Sequence, residues 1–247
     1  MTLTLILTVA GFLTATLSGV AGLGGGTVLI GIFYAMGMAP AEAVPLFAAV
    51  QFVSNSSRTL AYTRHVEWRA AGWFLLAAAP ATFLVAPFAV HINADIVRLV
   101  LAGLILASLA PGRASGEPMA PRKAFFWAGA LNGVLGMFVG ATGLVVGRLF
   151  FRPDWRKETT IGTLALTQML GHGLRVLAYG VVGFNALERP LLLLPVCVAV
   201  IAGTAFGRRL NGRVSEAQFS MLFKWILVIL SLKLAFDGVR GLAWGAS

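Results

Sequence analysis

Across 247 residues, 58% are hydrophobic and 11% charged, a balance that excludes a soluble domain needing a polar surface. Nineteen Lys and Arg against nine Asp and Glu give a formal charge of +10. The basic residues sit in short connections between apolar runs, so the charge marks the cytoplasmic side of a membrane protein and not a nucleic-acid partner.

In chain order, apolar segments are predicted at about 3–23, 27–36, 41–62, 69–90 and 95–110, and then at about 123–139, 142–151, 157–180, 188–207 and 216–238. Runs of about 17 to 25 residues match a hydrocarbon core of roughly 30 Å, so the lipid bilayer is the expected partner of the long segments. The first run lacks the Lys/Arg start of a signal peptide and ends in glycines, and it is read as part of the mature protein. The second segment of each half is too short to span as a full helix. It follows a glycine-rich break, Gly24-Gly25-Gly26 or Gly140-Ala141-Thr142-Gly143. Backbone broken at membrane depth finds polar partners only inside protein or beside a water-filled cavity.

The order of landmarks repeats. Gln51, Arg58, Leu60, Ala61 and Tyr62 return as Gln168, Arg175, Leu177, Ala178 and Tyr179, all displaced by 117 positions. Gly19, Gly22 and Gly26 recur as Gly133, Gly136 and Gly140, and Pro80 corresponds approximately to Pro195. Between the halves, residues 111–121 are rich in Pro, Gly and Ser and cannot continue a helix. This divides the chain into a first transmembrane repeat at 1–110, a cytoplasmic linker at 111–121 and a second transmembrane repeat at 122–247.

Basic connections at 63–69 and 111–123 are both expected to be cytoplasmic. The connection at 37–41 then faces outward, whereas its counterpart at 152–157 carries Arg152, Arg156 and Lys157 and faces inward. The expectation is an all-α integral membrane protein of two inverted-topology repeats. Each is a broken helix or re-entrant hairpin followed by three transmembrane helices.

Candidate binding residues lie at the breaks and on the repeated stripe. A short helix starting at a glycine break aims unpaired N–H groups and its positive dipole end at mid-membrane, a ready anion site. Gly24, Gly25, Gly26 and Gly140 let a ligand approach the backbone closely, and Thr27 and Thr142 add hydroxyls. Close helix packing through small residues, as at Gly22 and Gly26, is the alternative reading of the same glycines.

Gln51, Asn55, Arg58 and Tyr62 are spaced by four, three and four residues and so share one helix face, as do Gln168, His172, Arg175 and Tyr179. Both glutamines fall near the middle of the membrane. Arg58 is displaced toward the cytoplasm and Arg175 toward the outside, flanking a central anion site. Snorkelling arginines, interhelical glutamine hydrogen bonds and a packing histidine are the structural alternatives.

All nine Asp and Glu lie near segment ends or connections, which favours an anionic or neutral substrate over a cation. Cys197 sits inside an apolar run, and His65, His91 and His172 are scattered. Neither a nucleophile and base nor a metal cluster is indicated, so no enzyme activity, cofactor or metal is expected. An anion channel of the same architecture and a non-transporting structural membrane subunit are the rival readings, and the pattern leaves homo-oligomerisation open.

The run Ser18-Gly19-Val20-Ala21-Gly22-Leu23-Gly24-Gly25-Gly26, a short apolar stretch, and a segment from Ala43 to Tyr62 ending in a basic connection resemble the TauE/SafE family of sulfite and organosulfonate exporters. The resemblance extends to the second glycine cluster, Gly133 to Gly143, and to the second segment ending in Tyr179. Gly31 stands where such proteins commonly have proline. The resemblance implies a bacterial or archaeal inner-membrane carrier for a small sulfur-containing anion such as sulfite, thiosulfate or sulfoacetate. Alternating access, each half moving against the other around the anion, is the mechanism expected from the repeated halves themselves.

Overall fold

A computed structural model describes residues 2–21, 24–110, 119–150, 152–210 and 215–245. Most of the expected linker, Gly22, Arg113 and Arg213 lie outside the described residues. Every element among the described residues is helical: α1 (Thr2–Ala21), α2 (Gly25–Ala35), α3 (Pro40–Tyr62), α4 (Trp68–Ala89), α5 (Ala94–Leu109), α6 (Pro121–Val139), α7 (Gly143–Val146), α8 (Lys157–Val181), α9 (Pro190–Leu210) and α10 (Glu216–Trp244), with short 3₁₀ turns between some of them.

Local chemistry accounts for the boundaries. Pro40 and Pro121 each occupy the first turn of a helix, where the missing N–H costs nothing. Asn93 caps α5 by accepting hydrogen bonds from the backbone of Asp95 and Ile96 at 2.7 and 3.2 Å. One expectation needs correction. The segment at 142–151 is not a single short helix: α7 has only 4 residues and passes into a 3₁₀ turn over Gly147–Phe150. Its counterpart α2 is a regular helix of 11 residues.

Four helices, α1, α4, α9 and α10, are long and apolar enough to cross a membrane. Their large side chains turn outward, as at Leu5, Leu84, Leu191 and Ile229. An apolar surface of this kind is stable only against lipid. α3 and α8 are as long, at 23 and 25 residues, but carry the polar stripes and are wrapped by the others. Within the stripes Asn55, Gln168, His172 and Arg175 are buried and Gln51 and Arg58 half-buried against protein, as membrane burial demands.

Packing follows small residues. Gly11 of α1 lies against Val196 and Val200 of α9, and Gly19 against Thr204 and Gly207, so the two helices run parallel in close contact. Gly129 and Gly133 of α6 lie against Phe74 and Ala78 of α4 in the same parallel sense. α3 and α8 run antiparallel, Phe52 meeting Gly173 and Tyr62 meeting Gly162. α5 and α10 are also antiparallel, Asp95 lying at Gly241 and Leu99 at Gly238. Exchanging α1–α5 for α6–α10 carries the α1–α9 contact onto α6–α4 and returns the α3–α8 and α5–α10 contacts to themselves.

At one end of the bundle the start of α4, the start of α6 and the loop before α8 converge. Arg69, Arg122, Trp73 and Trp155 line a common hollow there, with the Arg122 guanidinium 4.4 Å from the Trp73 ring centroid. The basic connections of both halves therefore share one end.

A polar cavity between the two helix breaks

Gln51 is the twelfth residue of α3 and Gln168 the twelfth of α8. At 1.5 Å per residue both lie about 16 Å from their helix starts, near the middle of the central pair. The two glycine breaks reach the same level. Gly24 takes φ +95° before α2 and Gly140 takes φ +82° after α6, conformations in which a side chain would be strained.

The result is a cavity of about 50 Å³ in which water-sized groups fit. Its walls come from both halves. From the first, Gly24, Gly26, Thr27, Gln51, Asn55 and Arg58 face it. From the second, Thr142, Gln168 and His172 face it. Nine of the twelve residues singled out from the sequence therefore meet here. Gly25, Gly140 and Arg175 do not line it.

Each of those three is committed elsewhere. The Gly25 N–H donates to Ser18 Oγ at 3.1 Å, so this amide of the α2 terminus is already used. The Gly140 carbonyl accepts from Arg175 Nη1 at 2.8 Å. Arg175 is fully buried and points to the second break, while Arg58, its counterpart, is half-buried at the cavity.

No carboxylate occurs among the described residues that line the cavity, and Arg58 alone among them carries a formal charge. Gln168 is 8% exposed, and its Nε2 has no hydrogen-bond partner. An unmet buried donor costs on the order of 1–3 kcal/mol, and this one adjoins the cavity. Phe47 closes one side, its ring 5.4 Å from that of His172 in an edge-on contact.

Sequence reasoning missed Ser18 and Asn132 as site residues. Ser18 lines the cavity and ties the first break, whereas Asn132 donates from Nδ2 to Thr142 Oγ1 at 2.6 Å and ties the second. A signal was present. Each is the residue immediately before the first glycine of a repeated cluster, Gly19 or Gly133. Gly143, part of the second glycine break, also reaches the cavity, as does Leu164, which no pattern in the sequence marks.

A lipid-facing helical shell around a polar cavity at mid-depth defines a membrane transporter. The family profile described as Sulfite exporter TauE/SafE matches residues 7–234, and the chain belongs to that family. Comparison with curated proteins and with solved structures gave no match.

Proposed function

We propose that the chain carries a small sulfur oxyanion, of which sulfite is the fitting example, across a bacterial or archaeal inner membrane by alternating access. The observation that carries this reading is the cavity. Both helix breaks and both polar stripes line it, Gln168 lines it with an amide nitrogen that has no hydrogen-bond partner, and Arg58 is the formally charged residue among the described lining residues.

Size supports an inorganic ion. About 50 Å³ is open to the centres of water-sized groups, which is room for a ligand as small as the sulfur and three oxygens of sulfite. Membership of the sulfite exporter family agrees with that choice.

Alternating access gains support from the helix directions. α3 and α8 are counterparts that run antiparallel through the centre, as are α5 and α10. Counterparts with opposite directions across a membrane are what an inverted repeat requires. The moving units are then the halves at 1–110 and 122–247. Their unequal arginines, Arg58 at the cavity and Arg175 withdrawn, are the asymmetry that a one-sided state would have.

Thermal unfolding of the detergent-purified chain with sulfite, thiosulfate, sulfate, sulfoacetate, taurine or chloride tests the reading. A ligand at about 100 times its Kd stabilises the native state by about 2.7 kcal/mol through mass action. Sulfite is expected to raise Tm, sulfoacetate and taurine to do so less, and Gln168→Leu to remove the sulfite response. A rise that is equal for all anions including chloride, or that survives Gln168→Leu, would contradict it.

A further inference from the structure

Arg175 does not line the cavity, yet it holds one residue that does, His172, and reaches a second, Thr142, through Asn132. Nη1 lies 2.9 Å from His172 Nδ1, and Nη2 donates to Asn132 Oδ1 at 2.8 Å and to the Asn132 carbonyl at 3.2 Å. Room for the guanidinium exists because Gly136 has no side chain: a Cβ there would fall on it.

A guanidinium is only a donor. His172 Nδ1 must therefore accept and carries no proton, which leaves the ring proton on Nε2. The Asn132 amide is oriented by the same rule: oxygen toward Arg175, and Nδ2 as the donor to Thr142 Oγ1 at 2.6 Å. Since the Thr142 oxygen accepts from Asn132, its own hydrogen is free to turn to the cavity. Thr142 is 1% and His172 3% exposed, and both line the cavity.

We propose that Arg175 is a positioning residue for anion recognition: through His172 and through Asn132 it sets two cavity-lining groups as hydrogen-bond donors. This rests on the cavity being the anion site. It divides the labour of the paired arginines, Arg58 placing charge at the cavity and Arg175 setting the hydrogen-bond polarity of the opposite wall. A guanidinium that merely braced the second break through the Gly140 carbonyl would leave that polarity unspecified.

The test combines sulfite affinity, read from thermal shifts of the full chain, with the ¹⁵N resonances of His172 in protein labelled at histidine. Wild type is expected to show an unprotonated Nδ1 and a protonated Nε2 that moves when sulfite is added. Arg175→Met is expected to give a tautomer mixture and at least tenfold weaker sulfite binding, with Arg175→Lys restoring part of both.

Should Arg175→Met fail to fold, Asn132→Asp serves instead. It keeps the shape and improves the pairing with Arg175, but its carboxylate cannot donate, so the Thr142 hydrogen turns toward it and away from the cavity. Sulfite affinity is expected to fall about tenfold or more with Tm retained. An Nε2 proton that persists without Arg175, or sulfite affinity unchanged in a folded Arg175→Met or Asn132→Asp, would overturn the proposal. Failure of wild type to bind sulfite at all would instead remove the anion site on which it rests.

Discussion

Replacing Arg58 with glutamine is expected to lower sulfite transport by about 30-fold or more while the helical bundle stays folded. An anion leaving water for a small cavity loses hydration that the protein must replace. Gln51, Asn55, Thr142, Gln168 and His172 offer neutral groups, and Arg58 is the formal charge among the lining residues. Removing a close, partly desolvated charge from an anion site costs on the order of 2–5 kcal/mol, and 2 kcal/mol is already about 30-fold. Arg58→Lys keeps the charge but loses the planar fork, and should recover only part of the activity. Saturable uptake of labelled sulfite into proteoliposomes, with Tm as the folding control, makes the comparison. Wild-type rates in a folded Arg58→Gln protein would place the anion elsewhere.

Adjacent glycines in the first break are expected to respond differently to the same added methyl group. A Cβ on Gly26 would fall on the Gln51 amide nitrogen, the far end of a flexible side chain. Gly26→Ala should therefore fold, displace Gln51 from the cavity and cut transport by about tenfold or more, the range expected for losing one hydrogen bond to a charged ligand. A Cβ on Gly25 would meet the Thr14 backbone carbonyl and Ser18 Oγ. Backbone cannot swing aside, so Gly25→Ala should lower Tm by roughly 2 °C or more, from an overpacking cost of about 1–3 kcal/mol. Parallel uptake and thermal-unfolding measurements on the two variants check this. Equal loss of Tm in both would mean that the break is a packing element alone.

Much of the helical frame is visible in the sequence because lipid imposes long apolar runs and because Pro, Gly and charge punctuate them. The predicted segment at 41–62 and the observed α3 (Pro40–Tyr62) differ by one residue at the start. α10 continues to Trp244, beyond the predicted end at 238, since Asp237 and Arg240 break the apolar run without breaking the helix. The spacing of four and three puts Gln51, Asn55 and Arg58 on one face of α3, and the cavity they line also takes in Gln168 and His172 but not Tyr62, Arg175 or Tyr179.

Helical spacing says which residues share a face, but not what lies across from it. Arg175 has the same position in its stripe as Arg58, yet it turns into the slot left by Gly136 and bonds the second break. That slot depends on a neighbouring helix, and no periodicity within α8 reveals it. The unequal second segments have a similar cause. α2 packs along α10, with Gly31 against Leu230, whereas the chain after Gly143 tightens into a 3₁₀ turn. Gly31 permits that contact where a larger residue would meet Leu230.

Counterflow of ³⁵S-labelled sulfite in proteoliposomes loaded with unlabelled sulfite, compared between wild type and Gln168→Leu, tests most directly that the cavity between the two breaks is the transport site. The account predicts transient, saturable accumulation of label in wild type and its loss in a folded Gln168→Leu protein. Accumulation unaffected by Gln168→Leu, or a flux that rises linearly with concentration and never accumulates label, would contradict it.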